Sequence, residues 1–197
     1  MISTLSKKHD FDIVFDSQAV FRLILEAVAN PGRILSIKEY ADKLYDDYPA
    51  LLTMALTLLD NEVGFIAYDN SRLSDEIVSL TLARRETMDS ADYIFVCDPE
   101  SMKYVMENAK CGTLADPHKS ATVIIQNDGE AVCRLKLSGP GIKDCLEVQT
   151  TQTVKDAMLL RDMQYYEYPQ GIDLLFLSSQ GDLLAVPRLT HLETEVE

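Results

Sequence analysis

Residues 93–109 read Tyr93-Ile94-Phe95-Val96-Cys97-Asp98-Pro99-Glu100-Ser101-Met102-Lys103-Tyr104-Val105-Met106-Glu107-Asn108-Ala109, and this stretch decides the fold class. Its first five residues form a continuous apolar run of strand length, the pattern of a central strand covered on both faces. Asp98-Pro99-Glu100 then starts a helix: a capping carboxylate, a first-turn proline, and an acid at the positive end of the helix dipole. Met102, Val105, Met106 and Ala109 follow at i, i+3, i+4 and i+7, one apolar helical stripe. The methionines read as core rather than as cofactor contacts. A doubly covered strand leading into an amphipathic helix is an α/β unit.

Toward the N-terminus the same alternation continues. Gly64-Phe65-Ile66-Ala67-Tyr68 reads as a strand, and Ser74 opens a helix with Ile77, Val78, Leu80 and Leu82 inward or partly so. Arg84-Arg85 ends that helix, where cations complement the dipole. Before it lies a helix that begins at Pro49 and runs from Ala50 to Leu59. Only Thr53 and Thr57 interrupt its apolar surface, so it is expected to be buried on most sides. The first helix is capped by Asp16 or Ser17 and carries Val20, Phe21, Ile24, Leu25 and Val28 on one face. Asn30-Pro31-Gly32 stops it, and Ile34, Leu35 and Ile37 suggest a short strand.

Toward the C-terminus adjacent strands dominate. Ala121–Gln126 is a strand, Asn127-Asp128-Gly129 has hairpin chemistry, and Val132–Leu137 alternates so that Arg134 and Lys136 share a face. Ser138-Gly139-Pro140-Gly141-Ile142 is a tight turn. Thr153 and Asp156 can cap a helix carrying Val154, Ala157, Met158, Leu159 and Leu160. Leu174–Leu177 and Leu183–Val186, joined by a turn, form a β-hairpin, so the sheet is mixed. No linker or repeat divides the 197 residues. The expectation is a single domain, a three-layer α/β/α fold with a mixed sheet, with residues 1–10 and 192–197 as mobile tails.

The net charge is −14, which argues against nucleic acid or an anionic membrane as a general partner. The four cysteines, Cys97, Cys111, Cys133 and Cys145, are too far apart for a local metal clip. They read as free thiols in a reducing cytosol. The N-terminus lacks the apolar core of a signal peptide, and no apolar run approaches membrane-spanning length, so a cytoplasmic location is expected.

Several segments, in order along nearly the whole chain, resemble one family. They include Phe21-Arg22 with Asn30-Pro31-Gly32, Leu58-Leu59-Asp60 and Ala91-Asp92-Tyr93. Further along come Cys111-Gly112-Thr113, Ser120-Ala121-Thr122 and Leu137-Ser138-Gly139-Pro140-Gly141-Ile142. Last are Tyr168-Pro169-Gln170-Gly171-Ile172-Asp173 and Pro187-Arg188-Leu189-Thr190. The family is PhnH, the H subunit of the bacterial carbon–phosphorus lyase core complex. Leu189 stands where the resemblance implies Thr, which bears on any role of that hydroxyl but not on the fold. The resemblance implies a fold similar to pyridoxal-phosphate-dependent transferases without the cofactor. It also implies a homodimer and companion subunits G, I and J. With the G, I and L proteins, the family supports transfer of ribose triphosphate from ATP to an alkylphosphonate. The glycosyl transfer is attributed to subunit I and the radical C–P cleavage to subunit J.

The residues themselves agree with a partner role. There is no P-loop, no dinucleotide-binding glycine pattern and no metal-binding histidine spacing. Lys143, after the Pro140-Gly141 turn, is the one lysine placed to mimic a Schiff-base lysine, and Asp173 could mimic its pyridinium partner. A solvated turn lysine and a capping carboxylate are the plainer readings. Arg188 is the best binding candidate, because its fork pairs carboxylates or phosphates bidentately. With His191, Thr190, Asp173, Gly171, Pro140, Gly141 and Lys143 it makes up the candidate binding or interface set; no catalytic residue, metal or cofactor is expected. Tyr165, Tyr166 and Tyr168 beside a Pro-Gly loop suit an interface or the core. The alternatives are an enzyme or a sensor that holds a phosphorylated small molecule in an α/β cleft.

Overall fold

The apolar runs do become strands, and their alternation defines two cores. A computed structural model describes residues 9–45 and 47–193. The helices are α1 (Phe15–Ala29), α2 (Lys38–Ala41), α3 (Pro49–Leu58), α4 (Ser71–Thr81), α5 (Met102–Asn108) and α6 (Gln152–Asp162). The strands in the first two thirds are β1 (Ile34–Ser36), β2 (Gly64–Tyr68), β3 (Arg84–Arg85), β4 (Tyr93–Val96) and β5 (Thr122–Gln126). They are followed by β6 (Cys133–Ser138), β7 (Leu146–Thr150), β8 (Asp173–Leu177), β9 (Asp182–Val186) and β10 (His191–Leu192).

Seven strands form one sheet in the order β1-β9-β8-β5-β4-β2-β3. β3, β2, β4, β5 and β8 run parallel, β9 runs antiparallel to them, and β1 pairs antiparallel with β9 and so points the same way as β8. Successive side chains of a strand point to opposite faces. Phe95, Ile124, Leu175 and Ala185 join the core under α1, α3 and α4. Ile94, Val123, Leu174 and Val186 join the other core, under α5 and α6. The mixed α/β class and the β8–β9 hairpin are therefore as expected. α3 is buried along Ala50–Leu56, as its apolar surface requires.

Several local expectations give way. Asn127-Asp128-Gly129 does not fold β5 back onto β6. A two-residue hairpin turn of that chemistry needs positive φ at its centre, and neither Asp128 nor Gly129 has it. The Asp128 carboxylate instead accepts from Ser179 N at 2.5 Å, and Asn127 N donates to Leu177 O. The chain thus leaves the large sheet and builds a second, antiparallel one in the order β10-β6-β7. β7 was not legible as a strand. In β6, Leu135 and Leu137 point inward while Arg134 and Lys136 remain exposed.

Arg84 and Arg85 form β3 rather than a helix end, because α4 closes earlier with Leu82 in the left-handed conformation. Asn70, not Ser74, caps α4 by accepting from Leu73 N, and Thr151, not Thr153, caps α6 by accepting from Val154 N. α1 has Asp12 at its start, accepting from Val14 N and Phe15 N. Asp16 is instead turned inward, 7% exposed, with Lys43 Nζ at 2.6 Å. Burial alone would raise its pKa, but the Lys43 hydrogen bond, the Asp12 N–H and the lysine charge together hold it below the usual carboxylate range.

The apolar stripe of α1 is only half used. Val20 and Ile24 are buried, while Phe21 (44%), Leu25 (52%) and Val28 (39%) stay exposed. The expected tails fall mostly outside the described residues. Where they overlap, Asp10 N donates to Lys43 O, Leu192 pairs with Leu137, and Glu193 N donates to Lys136 O. No helix among the described residues is long and apolar enough to cross a membrane.

Candidate functional site

The end of α6, the loop that follows it and the chain between β9 and β10 surround a cleft of about 310 Å³. Its floor carries Arg161 and Arg188, and its rim carries Asp162, Tyr165, Tyr168 and His191.

Arg161 sits on the buried face of α6, in register with Val154, Ala157 and Met158, and is 1% exposed. A buried guanidinium must have its donors satisfied. Nε donates to Asp162 Oδ1 at 3.0 Å, Nη1 to Pro187 O at 3.1 Å and Val186 O at 3.4 Å, and Nη2 to Thr190 O at 2.6 Å. Nη2 also lies 2.9 Å from Asp162 Oδ1. Arg161 is thus a clamp that fixes the strand-to-strand connection at residues 186–190. Sequence reasoning passed over it, although the i, i+3, i+4, i+7 spacing from Val154 places it on the core face.

Arg188 is committed in the same way. Its backbone N and Nε donate to Asp173 Oδ1, and Nη2 pairs with Asp173 Oδ2. Nη1 donates to Pro117 O at 2.8 Å and Nη2 to Ser120 Oγ at 2.5 Å. One guanidinium therefore ties together β8, β9 and the turn before β5. Gly171 permits this approach: its φ is +144°, and a Cβ there would stand 2.9 Å from Arg188 Cβ. Gly139, at φ +133°, leaves room for the Leu189 carbonyl.

The expected set is therefore only partly gathered. Gly171, Asp173 and Arg188 meet. Thr190 is buried, its carbonyl held by Arg161 and its Oγ1 without a hydrogen-bond partner among the described residues. His191 lies on the rim with its side chain exposed. Gly141 packs against Ala29 and Pro31, Pro140 is exposed beside it, and Lys143 is exposed on the β6–β7 loop and does not line the cleft. Asp173 faces a different, apolar cavity of about 240 Å³ with Ile24, Val28 and Tyr93.

Three tyrosines complete the cleft, before a cis Tyr168–Pro169 bond. Tyr166 is half-buried and donates to Met106 O at 3.3 Å. Burial pushes its hydroxyl pKa up, and the nearby Cys111 pushes it further, so it remains a donor. Tyr165 and Tyr168 project outward, 92% and 74% exposed. Tyr165 also has φ +52°, a conformation that costs a residue with a Cβ about 1–2 kcal/mol.

The knot of Tyr168–Asp173 with Pro187–Thr190 joins the two C-terminal motifs whose resemblance to PhnH was noted above. The family model described as "Bacterial phosphonate metabolism protein (PhnH)" matches residues 9–193. The chain belongs to the PhnH family. Among curated PhnH-like relatives, a putative C-P lyase subunit protein, HtxG, from Stutzerimonas stutzeri is 25% identical over 177 residues, covering 89% of this chain and 85% of that protein. The alpha-D-ribose 1-methylphosphonate 5-triphosphate synthase subunit PhnH of Rhizobium meliloti (strain 1021) is 28% identical over 190 residues, covering 93% and 94%. These two C-terminal motifs of the PhnH resemblance thus fall at a structural junction, where two of the large sheet's strands, the small sheet and α6 meet.

Proposed function

We propose that this chain is a docking subunit of a carbon–phosphorus lyase assembly in phosphonate catabolism. In that role it supports, with the G, I and L proteins, transfer of ribose triphosphate from ATP to an alkylphosphonate. It acts beside the G, I and J companions, as a cytoplasmic homodimer with no chemistry of its own. The names of the relatives, both subunits, support membership of an assembly. The observation that carries the docking role is the fate of the arginines. A pocket for a phosphorylated substrate needs guanidinium donors free to form charge-assisted hydrogen bonds. Arg161 and Arg188 direct theirs at carbonyls, Ser120, Asp162 and Asp173 of their own chain.

The homodimer reading draws on α1. Phe21, Leu25 and Val28 form an exposed apolar stripe, flanked by Arg22 and Glu26. An antiparallel pair of such helices about a two-fold axis level with residue 24 sets Arg22 of each copy opposite Glu26 of the other, where Glu26 already holds Arg33 of its own chain at 2.5 Å. The likeness to the pyridoxal-phosphate-dependent transferase fold belongs to the same proposal.

Co-expression with the companion subunits, followed by size-exclusion chromatography and mass measurement, tests the reading. Co-elution in the assembly is expected, with no phosphonate-dependent ATP consumption by this chain alone. A monomer that ignores every companion, or turnover by the isolated chain, would overturn it.

A further inference from the structure

The cleft between α6 and the β9–β10 connection combines features that have no use within the chain. Tyr165 holds a left-handed conformation and yet is 92% exposed, so nothing packed on its ring offsets the strain. Tyr168 is exposed on the same rim. Exposed tyrosines gathered around one pocket are the composition of an interface anchor point rather than of a solvated loop.

The charges say what the anchor receives. Both arginines of the cleft are neutralised by Asp162 and Asp173 and are hydrogen-bonded to the floor. The carboxylate of Glu167, exposed on the same loop beside the cleft but outside its lining, has no cation partner among the described residues. Asp162 keeps its second oxygen toward an exposed surface, since Arg161 uses only Oδ1. The electron-rich faces of the tyrosines, the second oxygen of Asp162 and the nearby Glu167 carboxylate attract a cation and repel an anion.

Resting on the docking role proposed above, we infer that this cleft seats a lysine or arginine side chain of a companion subunit. Its hydrocarbon stem lies against Tyr165 and Tyr168 and its charge meets Asp162, with Glu167 adding negative potential from the neighbouring loop. The chain's net charge of −14 suits a basic partner surface.

The test uses the full chain and the companion assembly prepared without it. Tyr165→Gly and Glu167→Lys are each expected to weaken binding at least tenfold. Tyr165→Gly should leave the melting temperature unchanged or higher, because glycine adopts positive φ freely. Glu167→Gln should flatten the dependence of binding on salt. Wild-type affinity in both Tyr165→Gly and Glu167→Lys would overturn the inference while leaving the docking role intact. Should wild-type chain fail to bind the companions at all, the docking role falls, and the cleft is judged by NMR on the chain alone. N-acetylarginine methylamide should then shift the Tyr165 and Tyr168 resonances saturably, and inorganic phosphate should not. Shifts with phosphate, or with neither probe, would overturn the inference.

Discussion

The floor and the rim of the cleft stand about one helical turn apart in sequence, at Arg161 and Tyr165, and behave oppositely. On the floor, Arg161 is 1% exposed and directs its guanidinium at three backbone carbonyls and Asp162. On the rim, Tyr165 is 92% exposed in a strained backbone conformation and touches little of its own chain. A positive side chain near a pocket is thus not the same as a positive pocket. What decides is whether its donors are already used, since a hydrogen bond made within the fold is not available to a ligand. The floor serves the chain's stability and the rim serves something outside it.

The largest effect should come from removing the floor. Arg161→Met keeps the approximate length and apolar stem but takes the guanidinium donors away from the carbonyls of Val186, Pro187 and Thr190, of which Pro187 O keeps the Thr190 N–H, and leaves Asp162 without its cation. Removing one partner of such a buried network costs roughly 3–5 kcal/mol. Urea denaturation should show that loss. A loss under about 1 kcal/mol would erase the contrast, since surface substitutions usually fall within about 0.5 kcal/mol.

The next effect is at Arg188 and Asp173, whose side chains are 18% and 29% exposed. Arg188→Ala or Asp173→Ala should each cost roughly 1.5–3 kcal/mol, the range for hydrogen bonds to charged groups. The double variant should cost clearly less than the two losses added, because the interaction can be removed only once. A double-mutant cycle measures this coupling, expected at about 1–3 kcal/mol. Full additivity would mean that the pair is incidental and that Arg188 is free to serve a ligand after all.

How far this contrast could be read without coordinates depends on the kind of force involved. The doubly covered strand at 93–97, the strand at 174–177 and the buried helix at 50–59 were legible because burial leaves apolar runs and helical stripes in the local sequence. The caps were misplaced by a few residues at Asn70 and Thr151, since several polar side chains near a helix start can each accept the same N–H. The second sheet was not legible. Asn127-Asp128-Gly129 carries hairpin residues, but the Asp128 carboxylate reaches Ser179, far along the chain, and long-range contacts leave no local pattern. The same limit applies to the site. Arg188 and Asp173 were singled out for their chemistry, yet that they answer each other across the sheet is a tertiary fact. Phe21, Leu25 and Val28 show the converse: periodicity marks a face as apolar without saying whether the cover comes from this chain or from another.

The smallest expected effect separates strain that serves a surface from strain that serves none. Leu82, like Tyr165, has positive φ (60°) and is 73% exposed, but it closes α4 at a position where helices most often place glycine. Leu82→Gly relieves about 1–2 kcal/mol of left-handed strain against about 0.5–1 kcal/mol of added unfolded-state entropy. The net gain should be roughly 0.5–1 kcal/mol, read as a rise of a few degrees in melting temperature with binding to the companion assembly unchanged. Tyr165→Gly should share the direction in stability and differ in binding. Were Leu82→Gly to lower the melting temperature, an exposed left-handed residue would not be a reserve of strain in this fold. Tyr165 would then lose the energetic half of its case and keep only its exposure.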